Sequence, residues 1–359
     1  MKERMIFLPN FLSYLKNCSQ SFSDLPLNEV DSLILSSLAY LHFNDIKYHN
    51  KIRDLPSKSL TKYIKGNQHN NLALLEAVTK SSRYQDVEIV FQVEDTNKEE
   101  EKQFSALTFL LPDNKMYLAF RGTDATFVGW KEDFNMAFLL PIPSQQEALI
   151  YAEKVTKLYP RKFYLGGHSK GGNLAVYAAS LLNKSTETRL IKVYSHDGPG
   201  FLKEFLYSSN YLTITPKISK TVPAASIIGM LLTTNEEYTI IKSSNQGLLE
   251  HDQFSWEIEN NAFIKLKKLD DGTIYTNKVI NDWISSLSKE ERNIFIDTLF
   301  KVLNSTNLTT LDELASSWYL KLPIMIKTIY TLDCKHKKYL VKTFKALIIT
   351  FLKNLRCLK

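Results

Sequence analysis

The sequence is short of cysteine. Cys18, Cys334 and Cys357 are odd in number and far apart among 359 residues, which excludes a disulfide framework and a cysteine metal cluster and leaves reduced thiols as the reading. Long apolar runs are missing as well. A lysine or arginine breaks every stretch that approaches the roughly twenty residues a membrane-crossing helix needs. Residues 1–15, interrupted by Pro9 and Asn10, lack the apolar run and small-residue cleavage site of a secretory leader, so a cytoplasmic chain is expected. Acidic residues are scarce in one region only. From Lys321 onward ten bases accompany the single acid Asp333, and the net charge of +7 is therefore a property of that end. Such an excess fits an anionic surface or plain solubility. No nucleic-acid-binding motif accompanies it, and no motif implies a metal or an organic cofactor.

What is present reads as an ordinary globular chain, 44% hydrophobic and 23% charged, with no internal repeat and no Gly/Ser linker. Residues 1–80 read as helical: Asn28 caps a helix through Val30, Leu33, Ile34, Leu38 and Leu41, and residues 71–80 form another. Residues 87–92, 104–111 and 115–120 are rich in β-branched and aromatic side chains and are parted by turn residues, as antiparallel strands are. Strands and helices then alternate. Ser144 with Glu147 makes a capping box for a helix that Pro160 ends; 163–166 is a strand, 174–182 a helix, and 190–195 and 238–243 are strands. Ser288 with Glu291 opens a further helix. The pattern predicts an α/β protein with a mixed, mainly parallel sheet covered by helices. Its core is expected at 81–280, with 1–80 packed on it and 281–359 a helical extension.

The chemistry centres on Gly167-His168-Ser169-Lys170-Gly171, which fits G-x-S-x-G and lies between an expected strand and an expected helix. A nucleophilic serine needs that sharp turn to lift its Oγ above the sheet. The glycines give the strained backbone room, and the helix N-terminus favours developing negative charge. A serine hydroxyl also needs a base. Of the histidines after Ser169, His196 ends the next strand too early and His336 sits in the basic tail. His251, after the strand at 238–243, is in place to be the general base. Asp197, in Ser195-His196-Asp197-Gly198-Pro199-Gly200, is the first candidate for the orienting acid, with Glu236, Glu237 and Asp252 as weaker ones. For the oxyanion hole, one donor is expected from the backbone N–H of Lys170. The other is expected from the loop after 115–120, where Thr123 offers N–H and hydroxyl. The Lys170 side chain reads as solvated, or as a cation that favours an anionic substrate.

Ala119-Phe120-Arg121-Gly122-Thr123, followed by Trp130 and Asp133, resembles the oxyanion segment of the fungal-type class 3 lipases. Taken with the stretch from Gly167 to Ala175, Ser195 to Phe201, Pro26 to Leu33 and the His251 region through Trp256, it is more similar still to an uncharacterised bacterial family of lipase-like α/β hydrolases. The resemblance covers roughly residues 5–260. It implies the α/β-hydrolase fold, Ser169 and His251 as the catalytic pair and Thr123 in the oxyanion hole. The class 3 lipases place their acid after a later strand, and residues 221–232 here contain none.

The expected activity is hydrolysis of a carboxylic ester, lipid or small, through an acyl-enzyme. A thioesterase or peptidase would share the same site, and a silent hydrolase fold serving as a binding or membrane-associated module is the contrasting reading. Residues 339–358 interleave Leu340, Val341, Phe344, Leu347, Ile348, Phe351, Leu352 and Leu355 with Lys342, Lys345, Lys353 and Arg356 at helical spacing. Either that apolar face packs on the core, or the tail from Lys335 lies on an anionic membrane.

Overall fold

The computed structural model describes residues 9–43, 50–64 and 69–356; residues 1–8 and 357–359, on which part of the sequence reading falls, lie outside them. Three helices open the chain: α1 (Phe11–Asn17), α2 (Glu29–Leu38) and α3 (His69–Lys80). Asn28 caps α2 as expected, its Oδ1 accepting from the N–H groups of Val30 and Asp31, while Asp31 accepts from the Asn28 N–H.

Strands β1 (Asn50–Lys51), β2 (Glu88–Asn97), β3 (Lys102–Leu110) and β4 (Lys115–Phe120) pair antiparallel. Helices α4 (Phe127–Asn135) and α5 (Pro143–Leu158) follow. Then β5 (Lys162–His168), α6 (Lys170–Leu181), the short α7 (Lys184–Glu187), β6 (Leu190–His196), the short α8 (Lys203–Leu206) and α9 (Ser209–Ile214), β7 (Ile218–Pro223) and β8 (Tyr238–Ile241) complete the α/β part. A small hairpin, β9 (Ile258–Glu259) with β10 (Ala262–Phe263), precedes β11 (Lys265–Leu266), which returns antiparallel to β8. The sheet runs β1-β2-β3-β4-β5-β6-β7-β8-β11, with β4 to β8 parallel to one another. Helices α10 (Asp271–Ser286), α11 (Lys289–Asn304), α12 (Leu311–Thr331) and α13 (Cys334–Arg356) end the chain. Among the described residues no helix is long and apolar enough to cross a membrane.

The period of two along each strand sorts the core into two layers. Tyr117 and Ala119 of β4, Tyr164 of β5 and Tyr194 of β6 face α1 to α3; Leu118, Phe120, Leu165 and Val193, their neighbours in sequence, face α5 and α6. Both faces of the parallel strands are therefore covered. A third apolar cluster joins α4 to the last helices through Phe127, Phe138, Phe295 and Phe300. This is the α/β-hydrolase arrangement, with helical additions at both ends.

Three local expectations change. β7 has no counterpart in the sequence reading, because its buried strand carries Lys220 in mid-run. The stretches forming α4 and α10 also went unread. Ser144 is not an N-cap: α5 starts at Pro143, Gln145 accepts from the Ile142 N–H at 2.9 Å, and the Ser144 hydroxyl donates to Glu132 at 2.7 Å. The Ser288–Glu291 capping box of α11 forms as read.

One buried ion pair ties α2 to the turn between α3 and β2. Arg83 donates to both oxygens of Asp31, at 2.8 and 2.6 Å, and both side chains are fully buried. Tyr14 and Tyr84 add hydroxyl donors to the same carboxylate, and the remaining Arg83 donors reach the carbonyls of Gln20, Ser21 and Leu25. Removing one partner strands the other charge in the core. Arg83→Met is expected to lower the urea-unfolding free energy by about 3–5 kcal/mol; an unchanged midpoint would show that the pair carries no part of the fold.

Candidate active site

Ser169 stands between β5 and α6 with φ +57° and ψ −133°, a conformation L-residues rarely adopt. The turn is possible because nothing crowds it. A Cβ on Gly171 would lie 2.0 Å from the Phe120 carbonyl oxygen, and one on Gly167 would lie 2.3 Å from the Gly171 carbonyl carbon. Ser169 is half-buried, its N–H donating to the His196 carbonyl at 2.9 Å, and α6 begins directly behind it. The Lys170 N–H therefore opens the first helical turn, where backbone donors have no acceptor within the helix.

Asp197 follows the end of β6, fully buried, with φ +51° and its N–H held by the Thr221 carbonyl of β7 at 2.7 Å. One carboxylate oxygen accepts from the Ser226 hydroxyl at 2.5 Å; the other lies 2.6 Å from His251 Nδ1. His251 ends the turn after β8 and is half-buried. A carboxylate on Nδ1–H leaves Nε2 as the free acceptor of a neutral ring. The His168 ring lies beside it, centroids 4.6 Å apart. His168 Nε2–H donates to the His251 carbonyl at 2.9 Å, and its Nδ1 takes the Tyr40 hydroxyl at 3.2 Å. Burial, and then the proximity of His251, push the His168 pKa well below its ordinary value, so that ring is a neutral support.

The loop after β4 comes up to the serine: a Cβ on Gly122 would lie 3.0 Å from Ser169 Cβ. The next residue, Thr123, donates its hydroxyl to Asp133 at 2.5 Å, which leaves its N–H as the group the loop can offer. The Lys170 side chain corrects the sequence reading. It is neither solvated nor turned toward a substrate. Fully buried, its Nζ donates to Glu132 and to the Gln103 carbonyl, both at 2.9 Å, with Asp133 at 3.7 Å. Glu132 also accepts from the Gln103 N–H and the Ser144 N–H.

The structure thus gathers Ser169, His251, Asp197, Thr123 and Lys170 at one end of the parallel strands. The rival residues go elsewhere. His196 is buried against Ser32 at 2.8 Å, with burial lowering its pKa to about 3. His336 faces Asp333 on α13. Glu236 bonds Tyr211, Glu237 is exposed, and Asp252 caps the turn at Phe254. Glu132, Ser226, His168 and Tyr40 were not singled out from sequence. Only His168 carried a signal, its place within the glycine motif. Among the described residues no cluster of His, Cys, Asp and Glu could hold a metal ion.

Asp133 provides a titration to follow. Burial pushes its carboxyl up to about 6 against the opposing pull of Lys170 and Thr123. The folded value lies above the unfolded one, so ionisation opposes folding, and stability is withdrawn as pH rises between the two values. Measured by urea titration against Asp133→Asn, the wild-type chain is expected to lose about 2 kcal/mol between about pH 4 and pH 6.5. A flat difference, or one of opposite sign, would mean the carboxylate stays ionised throughout.

Among solved structures the chain is similar to M37 lipase (15% identity, 57% of this chain and 70% of that one, TM-score 0.39). It is also similar to a fungal lipase in complex with an inhibitor (18% identity, 48% and 70%, TM-score 0.37). A third likeness is to a triacylglycerol lipase from Penicillium expansum (13% identity, 64% and 82%, TM-score 0.34). No curated protein sequence matches. The sequence profile of the Mbeg1-like family matches residues 78–301, more than half of the chain and with it Thr123, Ser169, Asp197 and His251, and the chain belongs to that family.

Proposed function

We propose that the protein is a serine hydrolase of carboxylic esters. The observation that carries this reading is the 2.6 Å contact of His251 Nδ1 with the fully buried Asp197 carboxylate, beside a serine held in a strained strand-to-helix turn. In the mechanism, His251 Nε2 takes the proton of Ser169 as Oγ attacks the ester carbonyl. Asp197 keeps the imidazole in that tautomer and stabilises the imidazolium. The N–H groups of Lys170 and Thr123 receive the oxyanion, His251 returns its proton to the leaving alcohol, and water releases the acid from the acyl-enzyme.

The rim of the site supports an apolar acyl group. The turn that ends at His251 exposes Leu248 and Leu249, by 65% and 70%. Two large apolar side chains in solvent next to the base suit a lipid or other hydrophobic ester better than a charged one.

A panel of nitrophenyl esters of increasing chain length tests the proposal. Ser169→Ala is expected to lose kcat by a factor on the order of 10⁶ and His251→Ala nearly as much, since the two act as a unit. Asp197→Asn, which keeps the shape but offers the wrong hydrogen-bonding pattern, should lose roughly 10³–10⁴-fold. Turnover by the well-folded Ser169 variant equal to wild type would end the serine mechanism.

A further inference from the structure

The last two helices leave much of their apolar surface uncovered. On α12, Trp318, Leu322, Ile326 and Ile329 fall on one stripe and all are exposed, Trp318 by 52%. Tyr319 and Tyr330 flank them in solvent. On α13, Val341, Phe344, Ile348 and Phe351 share a face at three- and four-residue spacing and are exposed, Val341 by 66%. It is Thr343, Thr350 and Asn354 that turn inward: the Thr343 carbonyl accepts from Trp283 Nε1–H at 3.1 Å, and the Asn354 amide donates to Asp282 at 3.2 Å. The apolar face of the tail is therefore divided: Leu340 packs on the third apolar cluster, the Phe344 ring meets Phe295 with centroids 5.8 Å apart, and the Phe351 ring meets Tyr275 at 5.9 Å. The rest of the face, Val341 and Ile348 above all, is turned outward.

Exposed apolar stripes on neighbouring elements of the same extension mark a docking site, and charge identifies the partner. Lys338 and Lys345 are exposed on α13 beside the apolar stripe, Lys327 is exposed on α12, and none of the three makes an ion pair among the described residues. From Lys321 to the end of the sequence ten bases face one acid. Two copies of this face would set like charges against each other, whereas an anionic surface would neutralise them. Apolar side chains at helical spacing, Trp and Tyr beside them and lysines at the flank match a bilayer interface. There the apolar groups reach the acyl boundary, the aromatic rings sit at headgroup level, and the lysine stems carry their charges out to the phosphates.

We propose that α12 and α13 form a docking surface for an anionic phospholipid bilayer, on which they lie without crossing it. The surface is connected to the site on both sides. α13 packs on α10, whose Asn277 holds the Ser226 carbonyl at 2.8 Å and whose Asn281 holds the Met230 carbonyl at 2.8 Å, in the loop that caps Asp197. α13 also packs on α11, which packs in turn on α4 with Glu132 and Asp133. A chain docked in this way holds the serine site at a fixed distance from the lipid.

The test is co-sedimentation of the full chain with phosphatidylcholine vesicles, with and without phosphatidylglycerol, at low and high salt. It reads binding alone, so its outcome is independent of the catalytic reading. The wild type should bind the anionic vesicles at least tenfold more tightly than the neutral ones, and less tightly as salt rises. Phe344→Ser with Ile348→Ser, both at exposed positions, should weaken binding at least tenfold at either salt. Lys338→Glu with Lys345→Glu should weaken it more than tenfold at low salt and little at high salt, since each lost lysine is worth roughly fivefold. Circular dichroism and hydrolysis of a water-soluble ester should be unchanged in both. Absence of binding at any salt, or variants that bind like wild type, would overturn the proposal. So would a wild-type oligomer in vesicle-free solution that Phe344→Ser with Ile348→Ser turns into a monomer, because a second copy would then cover the face.

Discussion

The hydrogen bond between His251 and Asp197 requires distant parts of the chain to be placed together. Asp197 leaves β6 in a left-handed backbone conformation, anchored by the Thr221 carbonyl and capped by Ser226, whose own carbonyl is held by Asn277 of α10. His251 arrives after β8, its carbonyl held by His168, which leans on Tyr40 just beyond α2. The amino-terminal helices and the carboxy-terminal ones are thus both supports of the same contact. Displacing either would misplace the imagined proton path by a fraction of an ångström to an ångström, enough to matter for a positioned acid–base pair.

Two of the buried acids share a feature, in that each has several partners. Asp31 meets Arg83, Tyr14 and Tyr84; Glu132 meets Lys170, the Ser144 and Gln103 N–H groups and the Ser144 hydroxyl. Desolvating such ions takes back most of what their attraction returns, so pairs of this kind act on geometry more than on net stability. The Lys170 cluster lies between the loop after β4 and the start of α6. Its effect is to hold β3, α4 and α6 in register around the serine.

The sequence was legible where local chemistry decides the structure. The strand, turn and helix around Ser169 could be read because glycine spacing, a buried apolar run and a capping position coincide within a dozen residues. Asp197 could be selected as first candidate because it ends the strand after the nucleophile helix and Glu204 is the only acid from 201 to 235. Illegible features depend on partners remote in the chain. Lys170 looks like a surface residue until Glu132, 38 positions earlier, is brought beside it. β7 is masked by Lys220, which is buried with its Nζ 3.9 Å from Glu236. Helical periodicity identified the apolar face of α13 but not what covers it, since packing on a core and lying on a surface demand the same spacing.

The central claim is that Ser169 is an activated nucleophile, and covalent labelling tests it most directly. The protein would be treated with a fluorophosphonate near neutral pH and the modified peptide identified by mass spectrometry, in parallel with His251→Ala. An adduct on Ser169 that the His251 variant forms far more slowly is the predicted result. A folded wild-type protein that stays unlabelled, or carries the adduct on another serine, would contradict the account.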